Sequence, residues 1–269
     1  MLSNTSRILT YLGAALYAIL GVTLFFFPEQ MAPVFAWKVT GFMTMTIGGW
    51  CLGNAWLAFF AARQWKWMLV YPGLIYLWSF GVLEGAIVIF FRDKLQLANP
   101  IAWLYLCTLA VNVLIAILGI TDWLRTRPAL SETKNMTSMV RFFIIGFALF
   151  VGFLGFYGLA AKIGDLATNG DIFPEIMSLF TLRSFGAFYL SLVIGIIPLL
   201  VEKDITPFVV YGSLATGLVV IITIAAIAYI RLFNFSTHPF GLLYFAAYIL
   251  TGIISIYYQW KNRTGLSKG

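Results

Sequence analysis

FPEQMAPVFAWKVTG, residues 27–41, and FPEIMSLFTLRSFG, residues 173–186, read as two versions of one segment. With one residue deleted, Phe27, Pro28, Glu29, Met31, Phe35 and Gly41 meet identical partners at Phe173, Pro174, Glu175, Met177, Phe180 and Gly186, and Lys38 meets Arg183. Farther along, Arg92 and Asn99-Pro100 correspond at a constant offset to Arg231 and His238-Pro239, which places Tyr105 on Tyr244. The second half of the chain therefore reads as a copy of the first. Residues 1–125 make one repeat and 140–263 the other, with a polar linker over 126–139 and a tail over 264–269.

Around each segment lie long runs free of charge. Of the 269 residues, 61% are hydrophobic and 10% charged, against roughly 25% charged in ordinary soluble domains. That much apolar surface cannot be hidden in a soluble globule of this size, so a bilayer is the expected solvent. Runs over 8–28, 39–62, 67–91, 95–121, 142–161, 184–201, 205–230 and 232–260 predict eight helices, the third interrupted only by Glu84. At 1.5 Å per residue these lengths suit ~30 Å of hydrocarbon. Continuous rather than alternating apolar runs exclude a barrel. Four spans per copy is an even number, so both copies enter the membrane in the same direction. The fold expected is an all-α integral membrane protein of two parallel four-helix repeats, with a pseudo-twofold axis along the membrane normal. Inverted-repeat transporters are built differently.

The net charge of +7 belongs to topology. Basic residues are scattered between apolar runs and form no stripe of the kind that binds nucleic acid. Eleven of the 17 fall on the side of the N-terminus and six on the other, which predicts both termini in the cytoplasm and a place in the cell membrane. The first run is longer than the apolar core of a signal peptide and lacks a small-x-small cleavage site, so it reads as a retained span. Cys51 and Cys107 lie inside apolar runs, and His238 is the single histidine. No disulfide framework, metal site or cofactor is indicated.

Glu84 is the one charge deep in a span, ~12 Å below its outer end. A charge there costs at least ~2.5 kcal/mol, so it is expected to be protonated, paired or facing a wet cavity. Gly81 and Gly85 flank it in a GxxxG that admits a neighbouring helix. Its counterparts in the second copy are Thr223 and Ile224, so any acid-dependent site is asymmetric.

The repeated segment pairs an acid, Glu29 or Glu175, with a base, Lys38 or Arg183. Held near a helix N-terminus, such a base suits an anionic headgroup or carboxylate. The weightier reading is an intrachain ion pair or snorkelling that fixes the loop. Asn99-Pro100 and His238-Pro239 look like helix starts, capping being the ordinary role of both, with some room for His238 to titrate. Asn54 and Asn112 read as interhelical hydrogen-bond donors, and Asp122 as an i, i+3 partner of Arg125.

No HExxH, paired histidines, GxSxG or P-loop is present, and the prolines, Pro72 included, sit at span ends. The reading leans away from an enzyme and names no catalytic residue. Favoured first is a non-catalytic membrane subunit or scaffold that packs against lipids, partner subunits or further copies of itself. A channel or transporter for a small anion or amphiphile, using Glu84 with Lys38 and Arg183, is the alternative. A membrane enzyme acting on lipid or quinone stands third. A wet pocket at Glu84 shared with Lys38 or Arg183 favours transport, and a dry packed contact favours the scaffold.

Overall fold

The structure is a computed structural model that describes residues 2–128, 135–162, 175–239 and 241–261. Phe173, Pro174, the middle of the 126–139 linker and the 264–269 tail lie outside the described residues, as does the side chain of Tyr244. Every regular element among the described residues is helical. The helices are α1 (Asn4–Phe26), the short α2 (Pro28–Met31), α3 (Gly41–Gln64), α4 (Trp67–Phe90), α5 (Pro100–Thr126), α6 (Ser138–Ala160), α7 (Leu179–Ile196), α8 (Thr206–Ala228) and α9 (Gly241–Lys261). Seven of them, α1, α3 to α6, α7 extended by its 3₁₀ turn to Leu200, and α8, are long and apolar enough to cross a membrane. α9 has 21 residues and follows the last expected span.

Hydroxyl caps open these helices. Ser3, Thr40, Thr137 and Ser178 each accept the backbone N–H three residues on, at the starts of α1, α3, α6 and α7. Pro28 and Pro100 stand in first turns, where the missing N–H costs nothing. Asn99 precedes α5 as expected, but its side chain makes no capping bond. Beyond His238-Pro239, α9 begins at Gly241, and its Leu242 N–H reaches the Pro239 carbonyl. Pro72 lies inside α4 rather than at a span end.

The departures from the charge-free runs are largest at α9, which begins nine residues into the run 232–260, and next at α5 and α7. Read as starting at 184, α7 starts at Leu179, so Arg183 lies inside it. The guanidinium reaches back to the last carbonyls of α6, donating to Leu159 at 2.7 Å and Ala161 at 3.4 Å. A basic side chain bonded to a helix C-terminus is compatible with a membrane-embedded turn, and of the Arg183 guanidinium only Nε is left buried without a partner among the described residues. Arg7 is held likewise, its Nε on the Ala62 carbonyl at 2.7 Å. Asp122 also departs from expectation. Besides its attraction to Arg125, it accepts hydrogen bonds from the Ser3 amide and from both Ser3 and Ser6 hydroxyls. It therefore ties the start of α1 to the end of α5.

In the packed bundle α1 lies against α3 and α5, α3 against α8, α4 against α5, α7 and α8, α6 against α7, and α8 against α9. Glycines set the closest approaches. A Cβ on Gly48 would stand 2.5 Å from the Phe25 amide nitrogen of α1, and one on Gly186 would stand 2.6 Å from the Leu159 amide nitrogen of α6. Gly41, which the sequence comparison sets beside Gly186, instead begins α3 against the Glu29 carboxylate. Gly48, about two helical turns into α3, makes the close backbone contact there, as Gly186 does in α7.

Candidate functional site

Glu84 is 3% exposed, in the middle of the α4–α5–α7 junction. Its Oε1 accepts two hydrogen bonds, from the Tyr105 hydroxyl of α5 at 2.6 Å and from the Ser184 hydroxyl of α7 at 2.9 Å. Its Oε2 has no partner. Gly81 and Gly85 admit α5 as the GxxxG spacing predicts: a Cβ on Gly81 would meet Asn112 Nδ2 at 2.8 Å, and one on Gly85 would meet Val113 at 3.3 Å. Asn112 spans the same contact, donating to the Leu77 carbonyl at 3.2 Å.

Beside the carboxyl lies a cavity with about 20 Å³ open to the centre of a water molecule. That exceeds the roughly 10–15 Å³ needed to hold one water. Tyr17 of α1, Trp50 and Asn54 of α3, Glu84, Tyr105 and Ser184 contribute to its wall. Trp50 Nε1 and Asn54 Nδ2 are, like Glu84 Oε2, buried without a hydrogen-bond partner. Trp50 is held in place by stacking on Phe188, ring centroids 4.3 Å apart and planes 7° from parallel. Asn54 is oriented by the Tyr76 hydroxyl, which donates to its Oδ1 at 2.6 Å. Unpaired buried polar atoms each cost of order 1–3 kcal/mol; the three belong to residues of a wall that is otherwise almost wholly apolar, and the space beside them suits a guest the size of one water. Two are N–H donors and the third is a carboxyl oxygen. A guest with an oxygen lone pair for the donors and a proton or lone pair for Glu84 satisfies all three.

The other residues singled out in the sequence stand elsewhere. Lys38, Arg183 and His238 do not line the chamber. Lys38 is exposed in the loop before α3, and Arg183 faces the end of α6. The two acids of the repeated segment do converge. Glu29 accepts from the Tyr229 hydroxyl, and Glu175 accepts from the Thr40 hydroxyl at the start of α3. Among the described residues neither forms an ion pair with Lys38 or Arg183, so the expected loop-fixing salt bridge is replaced by hydroxyl contacts across the two halves. Burial pushes the Glu175 carboxyl above its usual range, the Glu29 charge adds to this, and the Thr40 bond opposes it. Burial and the Glu29 bond push the Tyr229 hydroxyl up, which keeps it a donor.

Tyr105, Ser184 and Trp50 carry no signal in the sequence that would assign them to Glu84; they arrive from different helices. A lone carboxylate cannot hold a multivalent metal, and among the described residues no group of three potential metal ligands forms. No family model, curated protein or solved structure matches this chain.

Proposed function

We propose that this polytopic membrane protein is a transporter or channel in which Glu84 exchanges a proton while the chamber receives a small hydrogen-bonding solute. One observation carries the reading: Glu84 Oε2, Trp50 Nε1 and Asn54 Nδ2 are unpartnered and belong to residues that line one small chamber. A carboxylate with no cation in its wall is expensive within a bilayer, so a proton or a bound cation accompanies it. The scaffold reading expects a dry packed contact at this position; a chamber of one water's size supports transport over it, though Lys38 and Arg183 do not share that chamber. The anion-specific version, with Lys38 and Arg183 on the path, has no support from the chamber wall.

The same proposal includes two parallel repeats, residues 1–125 and 140–263, joined by the 126–139 linker, with both termini cytoplasmic. Helix pairing supports it, since α1–α3, α4–α5 and α3–α8 find counterparts in α6–α7, α8–α9 and α7–α4. An offset one residue shorter than that pairing Arg92 with Arg231 carries Gly48 to Gly186 and the 3₁₀ turn Arg92–Lys94 to Ile230–Leu232. It also carries Trp50 to Phe188, so the stacked pair brackets the pseudo-twofold axis. Glu84 then stands beside that axis as the element without a twin.

Proton movement tests the function directly. Purified protein in vesicles loaded with a pH-sensitive dye should dissipate an imposed pH gradient faster than protein-free vesicles, and Glu84→Gln should abolish the difference. Equal rates with and without protein, or unchanged flux in Glu84→Gln, would refute the proposal.

A further inference from the structure

A second cavity, unrelated to Glu84, opens at the end of the bundle where α4 and α8 begin. It is a groove of about 440 Å³ whose wall includes Trp67 and Tyr71 from the start of α4, Trp123, Leu124 and Arg127 from the end of α5, and Pro198 after α7. That volume is in the range of sites for whole organic ligands. Its floor is aromatic. Trp67 stacks on Trp123 with centroids 6.4 Å apart and on Trp78 at 6.0 Å, and the Tyr71 hydroxyl is turned away to Glu202 at 3.1 Å. The outer edge is apolar and open, with Trp123 and Leu124 41% and 56% exposed.

One cation stands in this wall. Arg127 ends α5 in the left-handed region (φ 39°), its N–H bonded to the Trp123 carbonyl at 2.8 Å. Arg7, Arg141 and Arg183 each donate to protein carbonyls, whereas the Arg127 guanidinium has no carboxylate or carbonyl partner among the described residues. The surrounding end of the bundle is strongly basic as well, with Arg63, Lys66, Arg125, Lys203 and Lys261 nearby in the sequence of its turns. An aromatic trough open to the lipid side, closed by a single unpaired guanidinium at the depth of the interfacial tryptophans, is complementary to an amphiphile with an anionic head.

We propose that the groove is a binding site for one anionic phospholipid, with its phosphate on Arg127 and an acyl chain along Trp67, Tyr71 and Trp123. Arginine presents a planar fork to phosphate, and the tryptophan pair supplies a rigid apolar bed for the chain. This site stands whether or not Glu84 moves protons.

Native mass spectrometry of the full-length protein, equilibrated with equal amounts of phosphatidylglycerol and phosphatidylcholine in mild detergent, tests the assignment. The wild type should retain one phosphatidylglycerol per chain with a preference of about tenfold or more. Arg127→Asn, chosen because asparagine tolerates the left-handed conformation, should reduce that preference to about twofold or less. Arg63→Asn, at the same end but outside the groove, should keep it. Ile75→Trp, which fills the groove beside Trp67, should displace the lipid and serves as the second variant should Arg127→Asn fail to fold. Preference unchanged in Arg127→Asn, an equal loss in Arg63→Asn, or a full lipid complement in Ile75→Trp would each overturn the proposal.

Discussion

Replacing Glu84 with alanine removes the acceptor on which two buried hydroxyls depend. Tyr105 and Ser184 are 7% and 2% exposed, and both donate to the same oxygen, Glu84 Oε1. Leaving a buried donor unpaired costs ~1–3 kcal/mol, so two of them imply a loss of ~2–6 kcal/mol for Glu84→Ala, before any term for the enlarged chamber. Glu84→Gln keeps a carbonyl oxygen at the Oε1 position and places an amide at Oε2, which is unpartnered in any case. That amide is one unpaired buried group, at ~1–3 kcal/mol, against two in the alanine variant, so the two variants should separate by about 1 kcal/mol or more. Unfolding in mixed micelles, titrated with sodium dodecyl sulfate and followed by tryptophan fluorescence, measures that separation. Alanine and glutamine variants of equal stability, within the ~0.5 kcal/mol scatter of independent sites, would mean that the three-helix junction at Glu84 carries no hydrogen-bond energy. The reasoning that builds the chamber would then fail.

Gly186→Ala should cost ~1–3 kcal/mol. Its Cβ would meet only backbone, Leu159 N at 2.6 Å and the Gly155 carbonyl oxygen at 2.8 Å, so the whole of α6 must move. Gly146→Ala, with nothing within 4 Å of its Cβ, should be neutral in the same unfolding assay, and equal effects would contradict the α6–α7 packing. In the segment before α7, Glu175 is held above its usual range by burial and by the Glu29 charge, so the folded chain keeps its proton longer than the unfolded one. Its contribution to stability is accordingly full below the ordinary carboxylate value near 4.3 and is lost as pH rises through the folded value. Unfolding midpoints should decline with pH across that window in the wild type and be flatter in Glu175→Gln; an unchanged slope would count against this environment.

Much of the architecture is legible in the chain because the bilayer imposes a simple rule, that backbone groups without water must bond within their own helix. Runs without charge thus locate α1, α3, α4, α6 and α8 to within a few residues, while α5 lies five residues beyond its run and α9 begins nine residues late. The rule misplaces α7, since a charge ends a run but does not end a helix when its side chain finds carbonyls, as Arg183 does at Leu159 and Ala161. Gly41 and Gly186 match in sequence, yet Gly41 begins α3 against the Glu29 carboxylate while Gly186 lies inside α7 against α6, a difference the sequence does not show. Glu29 and Glu175 could be named as a pair, but their hydroxyl partners Tyr229 and Thr40 come from the opposite half.

Composition and charge-free run length by themselves determined that this chain is helical, belongs in a membrane and buries one acid, Glu84, inside a span. Each of these follows from properties summed along the chain. Whether that acid would meet a base, a packed wall or a chamber was decided only by tertiary structure. Tyr17, Trp50, Asn54, Tyr105 and Ser184 come to Glu84 from α1, α3, α5 and α7, at sequence separations that no periodicity links. A three-dimensional junction of helices, set by glycine contacts and side-chain volume, brings Trp50, Asn54 and Glu84, each with an unpaired polar atom, to the wall of one small space.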